Sequence, residues 1–404
     1  MQRVAMLSMH TSPLAQPGTG DGGGMNVYVR SLASALARAG VAVDVLTRAE
    51  HPEQPPLVVV EPGFRVRHVR AGPCAPVPKH ELPALVAPFT TAAREQLERC
   101  GAEYDVLHAN YWVSGAVGHR LKHELDLPLV TTFHTLDRVK AEVGLGDDIA
   151  LRPRVEAEVV RCADLVVAST DEERDDLVRH YGAAPERIEI IPPGVDHRVF
   201  SPGDRAAARR RIGLVPGPLL LFVGRIQPLK GAGLAVRTLA ELANHRAQLV
   251  IVGGPSGPDG ETELRRLHEL VDDLGLATRV RFVAPQPHDV LADYYQAADV
   301  CIVPSRTESF GLVALEAAAC GTPVVAASVG GLRSLVDHGV TGYLVDGREP
   351  REYAAPVEQI LGGTSSEMGA RAVARSARYR WSIAAARLRR QYDDLAARAP
   401  VQCS

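Results

Sequence analysis

The chain is 404 residues long, which allows two or three domains of about 150 residues each. With 46% hydrophobic and 23% charged residues, it has the composition of a folded globular protein rather than a disordered chain. The net charge of −3 lacks the basic surplus that nucleic-acid-binding proteins normally carry, so no nucleic-acid partner is expected.

The apolar segments and the cysteines predict a cytoplasmic protein without integral membrane association. No apolar run approaches the roughly 20 residues that span a bilayer, and the first residues read as a buried strand rather than a signal peptide. The cysteines are scattered without a Cys-x-x-Cys pair, which argues against a disulfide scaffold or a zinc ribbon. They are Cys74, Cys100, Cys162, Cys301, Cys320 and Cys403.

The first half of the chain alternates short apolar runs with amphipathic stretches. The runs are continuous rather than alternating, which is typical of strands buried on both faces of a parallel sheet. Between the first two runs, residues 25–39 show helical spacing, and Gly40 ends that helix. The strands are predicted at residues 4–7, 41–46, 57–60, 106–107, 129–132, 165–168 and 188–191.

Two clusters of Pro and Gly, at 192–196 and 201–204, interrupt this rhythm, which then starts again. Strands are predicted at 219–223, 248–252, 280–283, 300–303, 323–327 and 343–345, with helices at 261–273 and 309–319. We therefore expect an α/β protein with two doubly wound, Rossmann-like domains and a cleft between them. The predicted boundaries are 1–195, a linker at 196–214, 215–370, and C-terminal helices at 371–404.

A glycine-rich run at residues 18–24 follows the first strand and precedes a helix. Glycine lets the backbone approach a ligand closely, and N–H groups at a helix N-terminus bind anions such as phosphate. The spacing is neither GxGxxG nor GxxxxGK[ST], so a flexible surface loop is the alternative. His10, shortly before the run, favours a binding site.

Charged residues follow two predicted strands of the second domain. Arg225 and Lys230, in GRIQPLKG, combine an Arg fork with a Lys point charge, which suits a diphosphate. Glu308 and Glu316, in ESFGLVALE, share one helix face if the helix begins by Glu308, where its dipole favours an anion. Their apolar neighbours indicate a buried border, where sugar hydroxyls are suitable partners. Exposed surface charges are the alternative for both pairs.

The remaining candidates belong to the first domain. His134 follows the strand at 129–132, and for it a structural and a catalytic role are about equally supported. Lys79, Tyr111 and Arg152 would each be unremarkable alone, as a surface Lys, a core Tyr and a helix-surface Arg.

Together these motifs resemble the retaining nucleotide-sugar glycosyltransferases of family 4, which have the GT-B fold. GRIQPLKG and ESFGLVALEAAACGTPVVA carry the resemblance, and it covers nearly the whole chain. SMHTSPLAQPGTGDGGGMNVYV, AGPCAPVPKHELP, ANYWVSG and IVGGPSGPDG are similar to the actinobacterial branch that glycosylates inositol phosphate in mycothiol biosynthesis. That branch moves N-acetylglucosamine from UDP-N-acetylglucosamine to 1D-myo-inositol 3-phosphate and releases UDP, so the resemblance implies a hexosyltransferase.

The resemblance also implies the role of each candidate residue. The catalytic residues would be His134, Glu308, Arg225 and Lys230, with both cations on the diphosphate. The donor would be bound by Gln16, Pro17, Gly24, Arg225, Lys230, Glu308 and, at the ribose, Glu316. The acceptor would be bound by His10, Asp21, Gly22, Gly23, Gly24, Met25, Asn26, Lys79, Tyr111, Thr135 and Arg152.

The implied mechanism retains the anomeric configuration, because the acceptor attacks the face from which UDP leaves. Positioning and electrostatic stabilisation would then provide catalysis, without a carboxylate nucleophile or a classical general base. No cofactor is expected to be required, and no clear motif supports a bound Mg²⁺, which stays open. The partners are a UDP-sugar donor and a phosphorylated polyol acceptor, and the family implies a homodimer.

The acceptor side departs from the mycothiol branch. HANYWVSG and TTFHTLDRVK stand where that branch usually has HSHYW and TAHTL, residues 140–151 form a shorter segment, and Gln296 replaces a common Arg. One alternative is therefore a UDP-sugar transferase for another phosphorylated acceptor, as in the relatives of sucrose-phosphate synthase. Another is a non-catalytic nucleotide-sugar-binding protein, against which the intact charged motifs argue.

Overall fold

The computed structural model describes residues 2–146, 149–214, 216–257 and 259–403, and the chain forms two compact units. The first unit comprises the chain up to Ala15, Gly24–Pro192 and the chain from Trp381 onward. The second comprises Gln16–Gly23 and Pro193–Arg380. No helix among the described residues is long and apolar enough to cross a membrane.

The first unit contains an eight-stranded sheet in the order β3-β4-β2-β1-β5-β6-β7-β8, parallel except for the pair β3 and β4. Its strands are β1 (Arg3–Leu7), β2 (Ala42–Arg48), β3 (Leu57–Glu61), β4 (Phe64–Val69), β5 (Val106–Asn110), β6 (Leu129–Thr132), β7 (Leu165–Ala168) and β8 (Ile188–Ile190). Its α-helices are α1 (Gly24–Arg38), α2 (Val86–Arg99), α3 (Trp112–Leu125), α4 (Asp137–Glu142), α5 (Arg152–Cys162), α6 (Asp171–Tyr181) and the last helix of the chain, α15 (Trp381–Ala396). Short 3-10 helices lie at Lys79–Leu85 and Pro185–Arg187.

The second unit contains a six-stranded parallel sheet in the order β11-β10-β9-β12-β13-β14. Its strands are β9 (Leu219–Val223), β10 (Gln248–Val252), β11 (Val280–Val283), β12 (Val300–Val303), β13 (Val324–Ala327) and β14 (Gly342–Val345). Its α-helices are α7 (Arg205–Arg211), α8 (Ala232–Glu241), α9 (Gly260–Asp273), α10 (His288–Ala297), α11 (Leu312–Ala319), α12 (Leu332–Leu335), α13 (Pro350–Gln359) and α14 (Ser365–Ser376).

The continuous apolar runs result from helices on both faces of each sheet. In β1, Val4 and Met6 enter one hydrophobic core and Ala5 and Leu7 enter the other, and all four side chains are fully buried. The same alternation holds in β10, between the two cores of the second unit. A strand with helices on both sides has no polar face, so its sequence shows no alternation.

The edge of the first sheet differs from the prediction. The run at 57–60 was expected to be buried on both faces, yet β3 is an antiparallel edge strand in which Leu57 is 40% and Val59 65% exposed. Its partner β4 was not predicted, because Arg65 and Arg67 alternate with its apolar residues. A sheet edge lacks the covering helix that a continuous apolar run normally indicates.

The predicted linker at 196–214 groups with the second unit. Within it, the Asp204 side chain accepts hydrogen bonds at the N-terminus of α7, from Ala206 and Ala207. Arg205 and Arg209 of this helix form ion pairs with Asp299, immediately before β12, at 2.8 and 2.7 Å. These contacts bind the segment to the second sheet.

The C-terminal crossover lies ten residues later than predicted. Helix α14 stays with the second unit, because Arg375 donates hydrogen bonds to the carbonyls of Ser334 and Leu335. The chain joins the first unit only at Trp381, where α15 packs against α1. One disulfide, between Cys162 and Cys403, also departs from the expectation drawn from the scattered cysteines.

We predict that Leu388→Ala destabilises the chain by about 2–5 kcal/mol, because Leu388 of α15 is fully buried in the core that α1 also lines. Ile383→Ala on the same helix, at a side chain 47% exposed, is the control and is expected to change stability by less than about 0.5 kcal/mol. Thermal unfolding of both variants measures the difference. Equal midpoints would contradict the packing of α15 in this core.

Candidate functional site

In the second unit, the loops after two neighbouring strands bring opposite charges together. Lys230 follows β9 and Glu308 follows β12, and Lys230 Nζ lies 2.6 Å from Glu308 Oε2. Ser305 Oγ donates a hydrogen bond to the same oxygen at 3.2 Å. Both charged side chains keep about a fifth of their surface exposed, so the pair lies where a ligand can reach it.

The position of Glu308 corrects the helix prediction. Helix α11 begins at Leu312, after Gly311, whose φ of 105° is in the region that favours glycine. Glu308 therefore lies in the preceding loop, where its carbonyl accepts a hydrogen bond from the N–H of Gly331 at 3.0 Å. The expectation that Glu308 and Glu316 share one helix face was wrong.

Glu316, in contrast, lies inside α11 and is buried. The hydroxyl of Tyr295 donates a hydrogen bond to its Oε2 at 2.8 Å. Burial disfavours the charged form and raises the pKa of Glu316 to about 7, although the bond from Tyr295 opposes the shift. This carboxyl group can therefore change protonation state near neutral pH.

The glycine-rich run is divided between the two units. Its first part, residues 16–23, belongs to the second unit and includes Pro17. Gln16 Nε2 donates to the carbonyl of Gln286 at 2.9 Å, and Ser256 Oγ donates to the carbonyl of Gly20 at 2.5 Å. These bonds hold the run beside the loop that follows β10.

Arg225 lies against the same run. Its Nη1 donates to Ser256 Oγ at 3.3 Å and to the Asp21 carbonyl at 3.5 Å. A Cβ atom on Gly23 would lie 3.2 Å from Arg225 Nε, and one on Gly22 would lie 2.9 Å from the carbonyl oxygen of Gln16. Larger residues would therefore displace the run from the guanidinium.

The second part of the run opens α1 of the first unit, with Gly24, Met25 and Asn26 in its first turn. Asn26 is buried, and its Nδ2 donates to Thr11 Oγ1 at 2.9 Å and to the Ser12 carbonyl. The N-terminus of α1 is thus tied to the loop after β1, which carries His10.

Arg152 organises the first-unit candidates. It is fully buried, and its Nε pairs with Glu156 Oε1 at 2.7 Å. Its other nitrogens donate to the Tyr111 hydroxyl at 3.2 Å and to Thr135 Oγ1 at 3.0 Å. The His10 ring lies 5.1 Å from that of Tyr111. The alternative to a binding role was an Arg exposed on a helix surface, but Arg152 lies at the centre of a buried polar network.

His134 follows β6 with a φ of 64°, an uncommon conformation for a residue other than glycine. Its Nε2 contacts Asn110 Oδ1 at 2.9 Å, and the edge of its ring packs near Tyr28, with 4.7 Å between ring centroids. Burial lowers the pKa of His134 to about 3, so the imidazole is neutral at physiological pH. With an oxygen as its partner, Nε2 carries the proton.

The predicted residues thus fall into two sets. The first unit holds His10, Gly24, Met25, Asn26, Lys79, Tyr111, His134, Thr135 and Arg152. The second holds Gln16, Pro17, Asp21, Gly22, Gly23, Arg225, Lys230, Glu308 and Glu316. Asp21, Gly22 and Gly23, predicted with the acceptor, therefore pack with the predicted donor residues. Lys79 is half-buried at the start of a 3-10 helix, and its role stays a prediction.

Several residues that contact the candidate site residues were not predicted from the sequence. Ser256 lies in the loop after β10, within IVGGPSGPDG, and Asn110 is the last residue of β5, within HANYW, and these positions at strand ends could have indicated them. Tyr295 and Glu156 carry no such signal, because each lies within a helix. Tyr295 contacts Glu316 of another helix, and Glu156 contacts Arg152 one turn earlier in its own helix.

Two family descriptions match successive parts of the chain. Residues 22–199 match "Glycosyltransferase Family 4" and residues 204–377 match "Glycosyl transferases group 1". The D-inositol 3-phosphate glycosyltransferase of Geodermatophilus obscurus is 52% identical, over 89% of this chain and 82% of its own. That of Acidothermus cellulolyticus is 50% identical, over 94% of this chain and 87% of its own. The chain is a glycosyltransferase of family 4.

Solved structures agree with this assignment. The glycosyltransferase is similar to sucrose-phosphate synthase from Thermosynechococcus elongatus, with a TM-score of 0.91 and 35% identity over 98% of this chain and 99% of that one. Anabaena HepE in complex with UDP and glucose has a TM-score of 0.78 at 22% identity, covering 98% of this chain and all of that one, and shows the fold alone. The fold is GT-B, with two Rossmann-like domains, as the sequence predicted.

We predict that Glu316→Gln stabilises the glycosyltransferase at alkaline pH. The pKa of about 7 lies above the ordinary value of 4.5, so the protonated folded state contributes stability that is full below pH 4.5 and lost as the pH rises through 7. An uncharged amide avoids this loss, which amounts to about 3 kcal/mol. Unfolding midpoints at pH 8 and pH 5 measure it, with the gain expected only at pH 8.

Glu269→Gln, at an exposed position on α9, is the matched control and is expected to have little effect at either pH. A Glu316→Gln gain of equal size at both pH values would contradict the titration of this buried carboxyl group.

Proposed function

We propose that this glycosyltransferase moves N-acetylglucosamine from UDP-N-acetylglucosamine to 1D-myo-inositol 3-phosphate, with retention of configuration and release of UDP. The proposal rests on one observation. About half of the aligned residues, over most of the chain, are identical to those of relatives named D-inositol 3-phosphate glycosyltransferase. Their names supply the acceptor, and the geometry of each unit is consistent with the chemistry.

The donor diphosphate is assigned to the cations of the second unit. Arg225 offers a fork of N–H donors, and Lys230 offers an ammonium that Glu308 and the loop after β12 hold in place. An ammonium has three donors, so Lys230 can contact a phosphate oxygen while it keeps its bond to Glu308. The N–H groups of the neighbouring glycine run provide further donors to an anion.

Glu316 is assigned to the ribose of UDP and Glu308 to the transferred sugar. Both are carboxylates that can accept hydrogen bonds from hydroxyl groups, and the buried Tyr295 fixes the Glu316 rotamer. Gln16 and Pro17 lie in the run beside Arg225 and complete the donor side.

The phosphorylated acceptor is assigned to the first unit. Arg152 supplies buried positive charge and orients Tyr111 and Thr135, whose hydroxyls can donate to a phosphate. Lys79 supplies a second cation in this assignment. His134, neutral because of burial, is suited to place sugar hydroxyls rather than to carry charge.

The reaction requires stabilisation of the departing UDP more than a protein base. The bond between the sugar and the phosphate oxygen breaks as the acceptor hydroxyl approaches from the same face, and negative charge develops on the phosphate. Arg225 and Lys230 stabilise that charge, and removal of one such donor typically costs about 10²–10³ in rate. The leaving phosphate accepts the proton of the acceptor hydroxyl.

UDP release tests the proposal directly. We expect release from UDP-N-acetylglucosamine only when 1D-myo-inositol 3-phosphate is present, and much less from UDP-glucose with the same acceptor. The measurement is initial UDP release with each donor, with and without the acceptor.

The neutral sugar alcohol myo-inositol is the matched control, because it lacks only the phosphate. Release that depends on UDP-glucose and a sugar phosphate would instead favour a reaction like that of sucrose-phosphate synthase. Tight UDP binding without release under any of these conditions would contradict the proposed transfer.

We predict that the double variant Arg225→Ala, Lys230→Ala loses at least about 100-fold in UDP affinity. Each charge-assisted hydrogen bond contributes roughly 1.5–3 kcal/mol, and about 1.4 kcal/mol is a factor of ten. Titration calorimetry with UDP measures the change. Arg351→Ala, at a second-unit side chain that is 86% exposed, is the control with unchanged affinity. Undiminished UDP affinity in the double variant would remove the diphosphate assignment.

A further inference from the structure

Four side chains with metal-binding atoms lie close together in the first unit, apart from the residues assigned to the transferase reaction. They are His119, His123, Cys162 and Cys403. One ligand atom from each lies within 4.8 Å of all the others. Two are cysteine sulfurs and two are imidazole nitrogens, which is a ligand set that Zn²⁺ prefers.

Regular helices position three of the four. His119 and His123 are four residues apart on α3, so both rings project from the same face, with 5.2 Å between their centroids. Cys162 is the last residue of α5, which packs against α3. Two His at this spacing on one helix face are a common chelating pair for zinc.

The fourth ligand comes from the C-terminal tail, which is anchored beside the cluster. The N–H of Val401 donates to Asp164 Oδ1 at 2.6 Å. The other oxygen of this carboxylate accepts a bond from Lys122 Nζ, which also donates to the carbonyl of Cys162. Two residues beyond Val401, Cys403 Sγ lies 3.2 Å from His123 Nε2.

We propose that these four side chains bind one Zn²⁺ as a structural site that fastens the C-terminal tail to α3 and α5. Tetrahedral zinc holds sulfur at about 2.3 Å and nitrogen at about 2.0–2.1 Å, which sets ligand atoms roughly 3–4 Å apart. The four ligand atoms lie within 4.8 Å of one another, and the two sulfurs, which are bonded in the disulfide, need only separate on reduction to surround one ion. Four protein ligands leave no position for a substrate, so the site is closed rather than catalytic.

The site competes with the disulfide between Cys162 and Cys403. Reduction of that bond takes two electrons and two protons from a reductant and gives two thiols. Zn²⁺ then displaces the two thiol protons and binds the thiolates. Zinc loading therefore requires the reduced chain, and oxidation to the disulfide releases the ion.

Zinc content of the full chain tests the proposal. The protein is purified without a polyhistidine tag in a thiol-free reductant, loaded with Zn²⁺, and passed over a desalting column. Zinc per chain is then measured by mass spectrometry. The variants are Cys403→Ser, near the end of the chain, and His123→Ala, at an exposed ligand.

We expect about one zinc per chain in the native protein and less than about a tenth of that in either variant. The controls are Cys100→Ser and His80→Ala, which change the same residue types outside the cluster and are expected to keep the zinc. Zinc should also raise the thermal unfolding midpoint of the native chain by several degrees, and leave that of Cys403→Ser unchanged.

Native protein with no more zinc than Cys403→Ser would overturn the proposal. So would zinc that survives both ligand substitutions, or a disulfide that persists in the reductant while no zinc binds. None of these outcomes depends on the transferase assignment, because UDP release is measured separately and these four residues have no part in it.

Discussion

Parallel pairing of strands is the constraint on which the chemistry of both units depends. Because neighbouring strands run in the same direction, the loops after their carboxyl ends meet at one edge of the sheet. In the second unit, β9 and β12 are neighbours, and the residues that follow them form the Lys230–Glu308 pair. In the first unit, β5 and β6 are neighbours, and Asn110 at the end of one contacts His134 after the other. Residues distant in sequence become adjacent without any long-range motif.

Burial of polar groups in helices α5 and α11 fixes the geometry of those groups at a cost in stability. The Arg152–Glu156 pair is fully buried, and a buried ion pair rarely gains more from attraction than it loses in desolvation. Glu316 is disfavoured in its charged form for the same reason. Side chains already held by packing lose little freedom when a ligand binds, which is the advantage of a preorganised site.

The sequence was sufficient for the strands that have helices on both faces, since a short, continuous run of β-branched and other apolar residues is typical of a fully buried strand. Prediction from the sequence was wrong where tertiary packing determines the position of a segment. β3 lies at a sheet edge, and Glu308 is outside α11 because Gly311 turns the chain just before that helix. The candidate charges after β9 and β12 were identifiable, because position after a strand is a local property. The role of Tyr295 was not, since it depends on a contact between two helices. The cluster that includes Cys403 was hidden because 241 residues separate it from Cys162.

The protonation state of His134 decides how charge is distributed in the proposed reaction. A neutral imidazole cannot compensate the charge of a leaving phosphate, so the proposed assignment gives that role to Arg225 and Lys230. Glu308 offsets part of the charge on Lys230 but also fixes the direction of its ammonium. In the proposed reaction, the proton of the acceptor hydroxyl passes to the phosphate oxygen that has just gained negative charge. This transfer requires the acceptor and the leaving group on one face of the sugar, which is the arrangement that retains the configuration.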